Sequence, residues 1–474
     1  MKKNYTVFLL VLLCAGANAQ KWTKVNIPKD NLSFISEMKT PTATAVWGLE
    51  SVFDPTSGSQ SPTNRFIRST DGGATWAKKT LNAGNGNYLL SNIDPLNGDT
   101  CYAAMYDGAV GTGGGIFATT NSGTTWTQLG KGVIFDASSF PNWVYFRNAK
   151  QGIAMGDARG PGTKFEIWLT NDYGKNWTRV PDANIPAIND YPYGVVGRYY
   201  AYGNRIWFYA YEGDGTGART GDEYLYRSDD GGKTWAAFPI NNPVAGVLTD
   251  FVFTDENTGI YIGQQSDGLG TPFILRTNNG GATWTKQTFK GPLMNAFLAN
   301  VPGTKALVST SGFLLGTAAG SSYSLDLGKT WTIIDTGATL YHTDVSYFNK
   351  NIGWTGQYVP LAAANGGAYK WSLNTPALMD DATTNNILQS AAIKATPQIT
   401  LHPNPAVDVV FVDGLKANTK TTLLVMDNAQ NILQRLVTDV SSAKINVAAL
   451  HTGTYFIKVI EGNTVTASLR FVKE

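Results

Sequence analysis

The sequence predicts an all-β chain, a seven-bladed β-propeller followed by a small C-terminal β-sandwich. Three observations predict it. An eight-residue segment ending in tryptophan recurs six times, starting at positions 69, 119, 170, 228, 277 and 324. The stretch around Trp22 reads like the residues that follow such a segment, so the two ends of the repeat region can meet. Composition then changes at Asn374, and short alternating runs resume near the C-terminus.

The first segment reads STDGGATW from Ser69 to Trp76. The others are TTNSGTTW from Thr119, TNDYGKNW from Thr170, SDDGGKTW from Ser228, TNNGGATW from Thr277 and SLDLGKTW from Ser324. The third position is a short carboxylate or amide: Asp71, Asn121, Asp172, Asp230, Asn279 and Asp326. Such a side chain can accept from backbone N–H groups of its own turn. The fifth position is Gly73, Gly123, Gly174, Gly232, Gly281 and Gly328. Glycine reaches the positive φ that a tight hairpin needs. The last position is Trp76, Trp126, Trp177, Trp235, Trp284 and Trp331, which opens the next strand and can fill the gap to a neighbouring sheet.

This pattern resembles the Asp-box, or BNR, repeat, and the resemblance covers residues 21–373. It implies a propeller, as in the sialidases, the sortilin-type receptors and the photosystem II assembly factor-like repeat proteins. It also implies that the boxes are structural and sit on the rim away from the ligand face.

A second layer of repetition sets four strands per unit. Residues 144–148, 152–157 and 165–169 precede the third box, and 251–255, 259–263 and 273–276 precede the fifth in the same way. Another such unit starts at Val345 and runs to Ser372, but no box follows it. The expected remedy is that residues 22–27 pair onto 369–373. That closes the ring at seven blades and leaves no sheet edge open.

The N-terminus has Lys2 and Lys3, an apolar run over 7–14 and a small-residue cleavage site at Ala17, Asn18 and Ala19. Residues 1–19 therefore read as a secretory signal peptide, and the run is too short to span a bilayer. No transmembrane segment is expected in the mature chain. Cys101 is then the single mature cysteine and reads as a small buried hydrophobe. The expected organisation is 1–19 signal peptide, 20–373 propeller, 374–398 linker and 399–474 C-terminal β-sandwich.

That last segment opens with Pro403, Asn404, Pro405 and Asp408 and later carries Gly453 and Tyr455. These motifs resemble the type A sorting domain of the type IX secretion system. The resemblance implies handling by that secretion machinery, export across an outer membrane, and a mature protein that is secreted or attached to the cell surface.

A formal net charge of +2, with no basic tract, excludes nucleic acid as a partner on electrostatic grounds. Ligand residues are expected on the face opposite the boxes, around the channel mouth. The candidates are Asp157 and Arg159 of blade 3, and Glu212, Asp214, Arg219 and Asp222 of the long blade 4 insertion. The crossing into blade 4 adds Asp190, Tyr191, Tyr193 and Arg198, and the crossing into blade 7 adds Tyr341, His342 and Asp344. Carboxylates beside aromatic rings suit sugar hydroxyls. The expected function is a non-enzymatic binder of a glycan or protein, with a sialidase-like glycoside hydrolase as the alternative. Against that alternative, Arg68, Arg227 and Arg276 all precede boxes, so they are repeat residues and not a substrate-binding triad. No cofactor or metal is expected, since the spacing of Asp214 and Asp222 does not match an EF-hand loop.

Overall fold

Each of the six boxes forms the turn before the outermost strand of a four-stranded antiparallel sheet. The computed structural model describes residues 21–54, 59–84, 86–188, 191–216, 218–242, 246–267, 270–312, 319–337, 340–358, 367–372, 399–403, 405–427, 432–461 and 464–474. The predicted signal peptide and linker, and Asp190 and Asn404, lie outside the described residues. The chain divides into two units, 1–384 and 385–474.

Six sheets of the first unit each use four consecutive strands, within 33–80, 88–129, 141–179, 192–239, 246–287 and 297–336. These are blades 1 to 6. Blade 7 takes three strands from Tyr341–Asn349, Ile352–Tyr358 and Ala368–Ser372, and its fourth from Lys21–Val25. The pairing is antiparallel, with Trp22 opposite Trp371. Trp22 is buried, lies edge-on to Trp371 at 5.0 Å, and its indole N–H donates to Ser321 Oγ of blade 6 at 2.9 Å. The ring thus contains seven blades.

The box of blade 4 shows how the turn holds itself. Asp230 accepts from Ser228 Oγ at 2.8 Å, from the Lys233 and Thr234 N–H groups at 3.0 Å, and from Thr234 Oγ1 at 2.7 Å. The Gly232 N–H donates to Ser228 Oγ at 2.8 Å, and the Trp235 indole donates to Gly232 O at 3.0 Å. Asn121 and Asn279 substitute for Asp by donating from Nδ2 to Thr125 and Thr283.

The fifth-position glycines have φ between +73° and +94°. They meet a second demand as well. A Cβ at Gly73 would run into the Trp354 ring of blade 7, and one at Gly123 into Phe66 of blade 1. The fourth position is also left-handed, which the motif alone does not announce. Gly72, Gly231 and Gly280 fill it without strain, whereas Ser122, Tyr173 and Leu327 hold φ of +66°, +68° and +59°.

The long blade 4 insertion is not a separate loop. The strands Arg205–Gly213 and Arg219–Ser228 extend each other as a tall hairpin.

In the second unit, strands 400–402, 409–413 and 442–446 form one sheet and 421–426, 432–438, 453–461 and 464–473 another. Their inward residues share one core that includes Val410, Val412, Leu423, Ile457 and Phe471. Tyr455 stacks on Phe471 at 5.6 Å and donates to His451 O at 2.8 Å. No helix among the described residues is long and apolar enough to cross a membrane.

Candidate functional site

The innermost strands wrap the central channel, and most of them break register at the same place. Shifts lie between Ile35 and Glu37, Leu90 and Asn92, Pro141 and Trp143, and Leu248 and Asp250. Wider irregular stretches span Gly194 to Tyr199 and His342 to Val345. A bulge re-aims the side chain beside it. Aligning the blades by strand register puts Glu37, Asn92, Trp143, Arg198, Asp250, Phe297 and Asp344 at one repeat position. Five of them, Glu37, Arg198, Asp250, Phe297 and Asp344, line a central cavity of about 660 Å³ together with Lys39. That volume lies within the usual range for small-molecule sites.

Charges pair within this layer. Lys39 Nζ lies 2.8 Å from Glu37 Oε1, and Arg198 lies 2.9 Å from Asp250 Oδ1. The Arg198 guanidinium also covers Phe297, 5.2 Å from the ring centre. Several acceptors reach the next blade's backbone. Asp250 Oδ2 accepts from Leu298 N–H at 2.9 Å, Asp344 Oδ2 from Met38 N–H at 3.3 Å, and Asn92 Oδ1 from Val144 N–H at 2.9 Å. Asp94, further along the same strand as Asn92, accepts from Phe146 N–H and from the Tyr199 hydroxyl.

Burial sets the protonation of these groups. It pushes Asp250 up to about 6 against the pull of Arg198, and Asp94 up to about 7. Burial also raises Glu37, with Lys39 opposing. For Lys39 burial acts to lower the value, but Glu37 and Asp344 outweigh it and the ammonium is held charged.

Of the residues singled out in the sequence, Asp344 and Arg198 stand in this cavity. The others occupy three different places. Asp157 accepts from Asn142 Nδ2 at 2.6 Å and from Gly194 N–H at 2.7 Å, tying blade 3 to blade 4, and burial raises it to about 7. Beside it, Arg159 pairs with Asp136 at 2.6 Å and with Glu166.

The second place is the tall hairpin of blade 4. There Arg219 lies over Tyr211 at 4.7 Å and Tyr209 at 5.4 Å, and pairs with Glu223 at 2.8 Å. Tyr193 stacks on Tyr211 at 5.7 Å, and Gly213 N–H donates to Tyr191 O at 3.0 Å. Glu212 accepts from the Tyr224 hydroxyl at 3.1 Å and from Asp222 N–H at 3.4 Å, while Asp214 caps its turn through Thr216.

The third place is the closure seam. His342 is fully buried there, with Nε2 2.8 Å from Asp335 Oδ2 and its ring 4.8 Å from Tyr369. Tyr341 lies near Tyr358 at 6.5 Å. Among the described residues no group of three His, Cys, Asp or Glu side chains is placed to hold a metal ion.

Glu37, Lys39, Asp94 and Asp250 were missed by motif reading. Their signal is a charge inside an otherwise uncharged innermost strand: Asp250 alone in GVLTDFVF, Asp94 alone in YLLSNIDP, and the pair Glu37 and Lys39 in SFISEMK.

Residues 400–474 match the family described as the secretion system C-terminal sorting domain, and residues 226–237 match the BNR/Asp-box repeat. The chain is an Asp-box propeller with a C-terminal sorting domain. The sorting domain makes this propeller a cargo of type IX secretion, secreted or attached to the outer-membrane surface. Solved structures similar to the propeller include YCF48 from Cyanidioschyzon merolae, at 14% identity over 74% of this chain and 99% of that one, with a TM-score of 0.49. YCF48 bound to D1 peptide is similar at 16% identity over 76% and 98%, with a TM-score of 0.48. PorZ, described as an essential surface component of the type IX secretion system of Porphyromonas gingivalis, is similar at 14% identity over 94% and 60%, with a TM-score of 0.46. No curated protein sequence matches the chain.

Proposed function

We propose that the exported propeller is a glycan-binding protein whose ligand enters the central cavity. The observation that carries this is the single repeat position that sets Glu37, Asp250 and Asp344 around a space of about 660 Å³, with Lys39 and Arg198 between them. Carboxylates accept from sugar hydroxyls, and the two cations donate to them. Most of these charges are already neutralised pairwise, so a neutral polyhydroxylated ligand exchanges hydrogen bonds without burying net charge.

A second reading has one specific support. Glu37 and Asp250 are both held above the ordinary carboxylate range, which is the condition a general acid needs. The same cavity would then serve a glycoside hydrolase.

A glycan array followed by calorimetry tests both readings, with reducing-end release measured on every hit. Glu37→Gln keeps the shape of the side chain and removes its charge. The binding reading expects a tenfold or greater loss of affinity in that variant under conditions where it is still fully folded, since Lys39 loses its partner there and some stability goes with it. It fails if no glycan binds, or if Glu37→Gln binds as well as the parent. Turnover of a hit, abolished in Glu37→Gln, selects the hydrolase.

A further inference from the structure

A second cavity, of about 640 Å³, opens between blades 3 and 4 beside their box turns. Its origin lies in one cross-strand pair per blade. In blade 1, Trp47 stands opposite Arg68. In blade 4, Trp207 stands opposite Arg227. In blade 7, Trp354 stands opposite Lys370. Each pair reaches across its seam. Trp47 Nε1 donates to Asn97 O at 2.9 Å and Arg68 to Gly98 O. Trp207 Nε1 donates to Gly280 O at 2.9 Å and Arg227 to the same oxygen at 3.1 Å. Lys370 donates to Gly72 O at 2.8 Å.

The remaining blades keep part of this device. Blade 2 has Tyr102 opposite Ala118, blade 5 has Ile260 opposite Arg276, and blade 6 has Val308 opposite Tyr323. Blade 3 alone has neither ring nor cation, because Ile153 stands opposite Leu169. These two side chains and Ile206 of blade 4 line the cavity. Arg147, Asn176 and Lys233 line it too, and Arg147 donates to Asn204 Oδ1 at 2.6 Å.

We propose that this seam is a docking site for a tryptophan side chain of a partner polypeptide. The occupant is set by the molecule's own repetition. Where the same seam is filled from within in blades 1 and 4, the indole N–H meets a carbonyl of the next blade's turn, while in blade 7 the Trp354 ring fills the seam and Lys370 makes that bond. An incoming indole at the seam of blades 3 and 4 fills that space and regains that hydrogen bond, and the polar side chains around the cavity receive the peptide backbone. The site is separate from the central cavity, so its success or failure leaves the glycan reading untouched.

Calorimetry on the full chain compares the peptide Ac-Gly-Trp-Gly-NH2 with Ac-Gly-Leu-Gly-NH2. The tryptophan peptide is expected to bind at least tenfold more tightly. Ile153→Trp fills the seam from within, so it is expected to weaken that binding at least tenfold and to raise the melting temperature by a few degrees. The proposal is overturned if the two peptides bind alike, if neither binds, or if the folded Ile153→Trp protein binds as the parent does. Should that variant not fold, a crystal of the parent soaked with the 5-bromotryptophan peptide decides. Bromine beside Ile153 supports the site, and bromine elsewhere or nowhere overturns it.

Discussion

Arg198 and Asp250 hold one another at 2.9 Å across the seam of blades 4 and 5, and the same carboxylate takes the Leu298 N–H of blade 6. Three blades are therefore joined through one side chain that is 8% exposed. Removing the cation leaves a buried charge without its partner. Arg198→Met is expected to cost about 3 kcal/mol in urea unfolding. Adding Asp250→Asn removes the orphaned charge and is expected to recover at least half of that loss. A double variant no more stable than Arg198→Met would show that the pair is not what the cost measures.

Asp157 gives a pH dependence of opposite sense to the usual carboxylate. Its folded value, about 7, lies above the ordinary 3.8, so the folded chain holds a proton that the unfolded chain has released. Its contribution to stability is therefore greatest below pH 4 and falls as pH rises toward 7. An amide in its place would keep an acceptor for Gly194 N–H without a charge to bury. Asp157→Asn is expected to gain on the parent between pH 4 and 7, by something on the order of 1 kcal/mol, and to hold that gain above pH 7. Urea midpoints at pH 4.5 and 8 measure it, and a difference that stays constant with pH would refute the assignment.

Leu327 occupies the fourth place of the sixth box at φ +59°. A left-handed residue with a Cβ costs roughly 1–2 kcal/mol relative to glycine, partly offset by the freedom glycine has when unfolded. Leu327→Gly is expected to stabilise the propeller by about 0.5–1 kcal/mol, read from its melting temperature. The Gln287 bond to the Leu327 carbonyl is unaffected by the change. A destabilised variant would mean that the side chain contributes more by packing than its backbone costs.

Trp22 fastens the ring. Trp22→Ala removes a buried ring, its contact with Trp371 and its bond to Ser321, for an expected cost of about 4 kcal/mol. Limited proteolysis is expected to cut at Lys24 in the variant under conditions where the parent resists. Equal resistance in the two proteins would show that the strand stays paired without its anchor.

The blades were legible because the boxes are local. The side-chain bonds of a box's first and third residues all form within eight residues, so the residues that shape the turn stand side by side in the sequence. Closure by Trp22 was legible for a related reason, since a strand missing at Ser372 had a matching remnant at Lys21. The channel layer was legible only in part: the crossings gave Arg198 and Asp344, and Glu37 and Asp250 were missed. Glu37, Arg198, Asp250 and Asp344 come from four blades, and only the ring brings them to one height. A bulge, which has no residue signature, turns each of them there. The blade 4 residues Glu212, Arg219 and Asp222 were found as a charged, glycine-rich stretch, and the structure has them bonded to or stacked on their own hairpin. Composition alone cannot tell a side chain that serves its neighbours from one offered to a ligand.

Trp22 and Trp371 are cross-strand partners 349 positions apart. Nearly all of the intervening chain must already be stacked before they can meet, and the entropy of so long a loop leaves no early contact to hold them. The strand made first is therefore the one docked last. Closure of the circle waits on the last blade, whatever the order in which the others form.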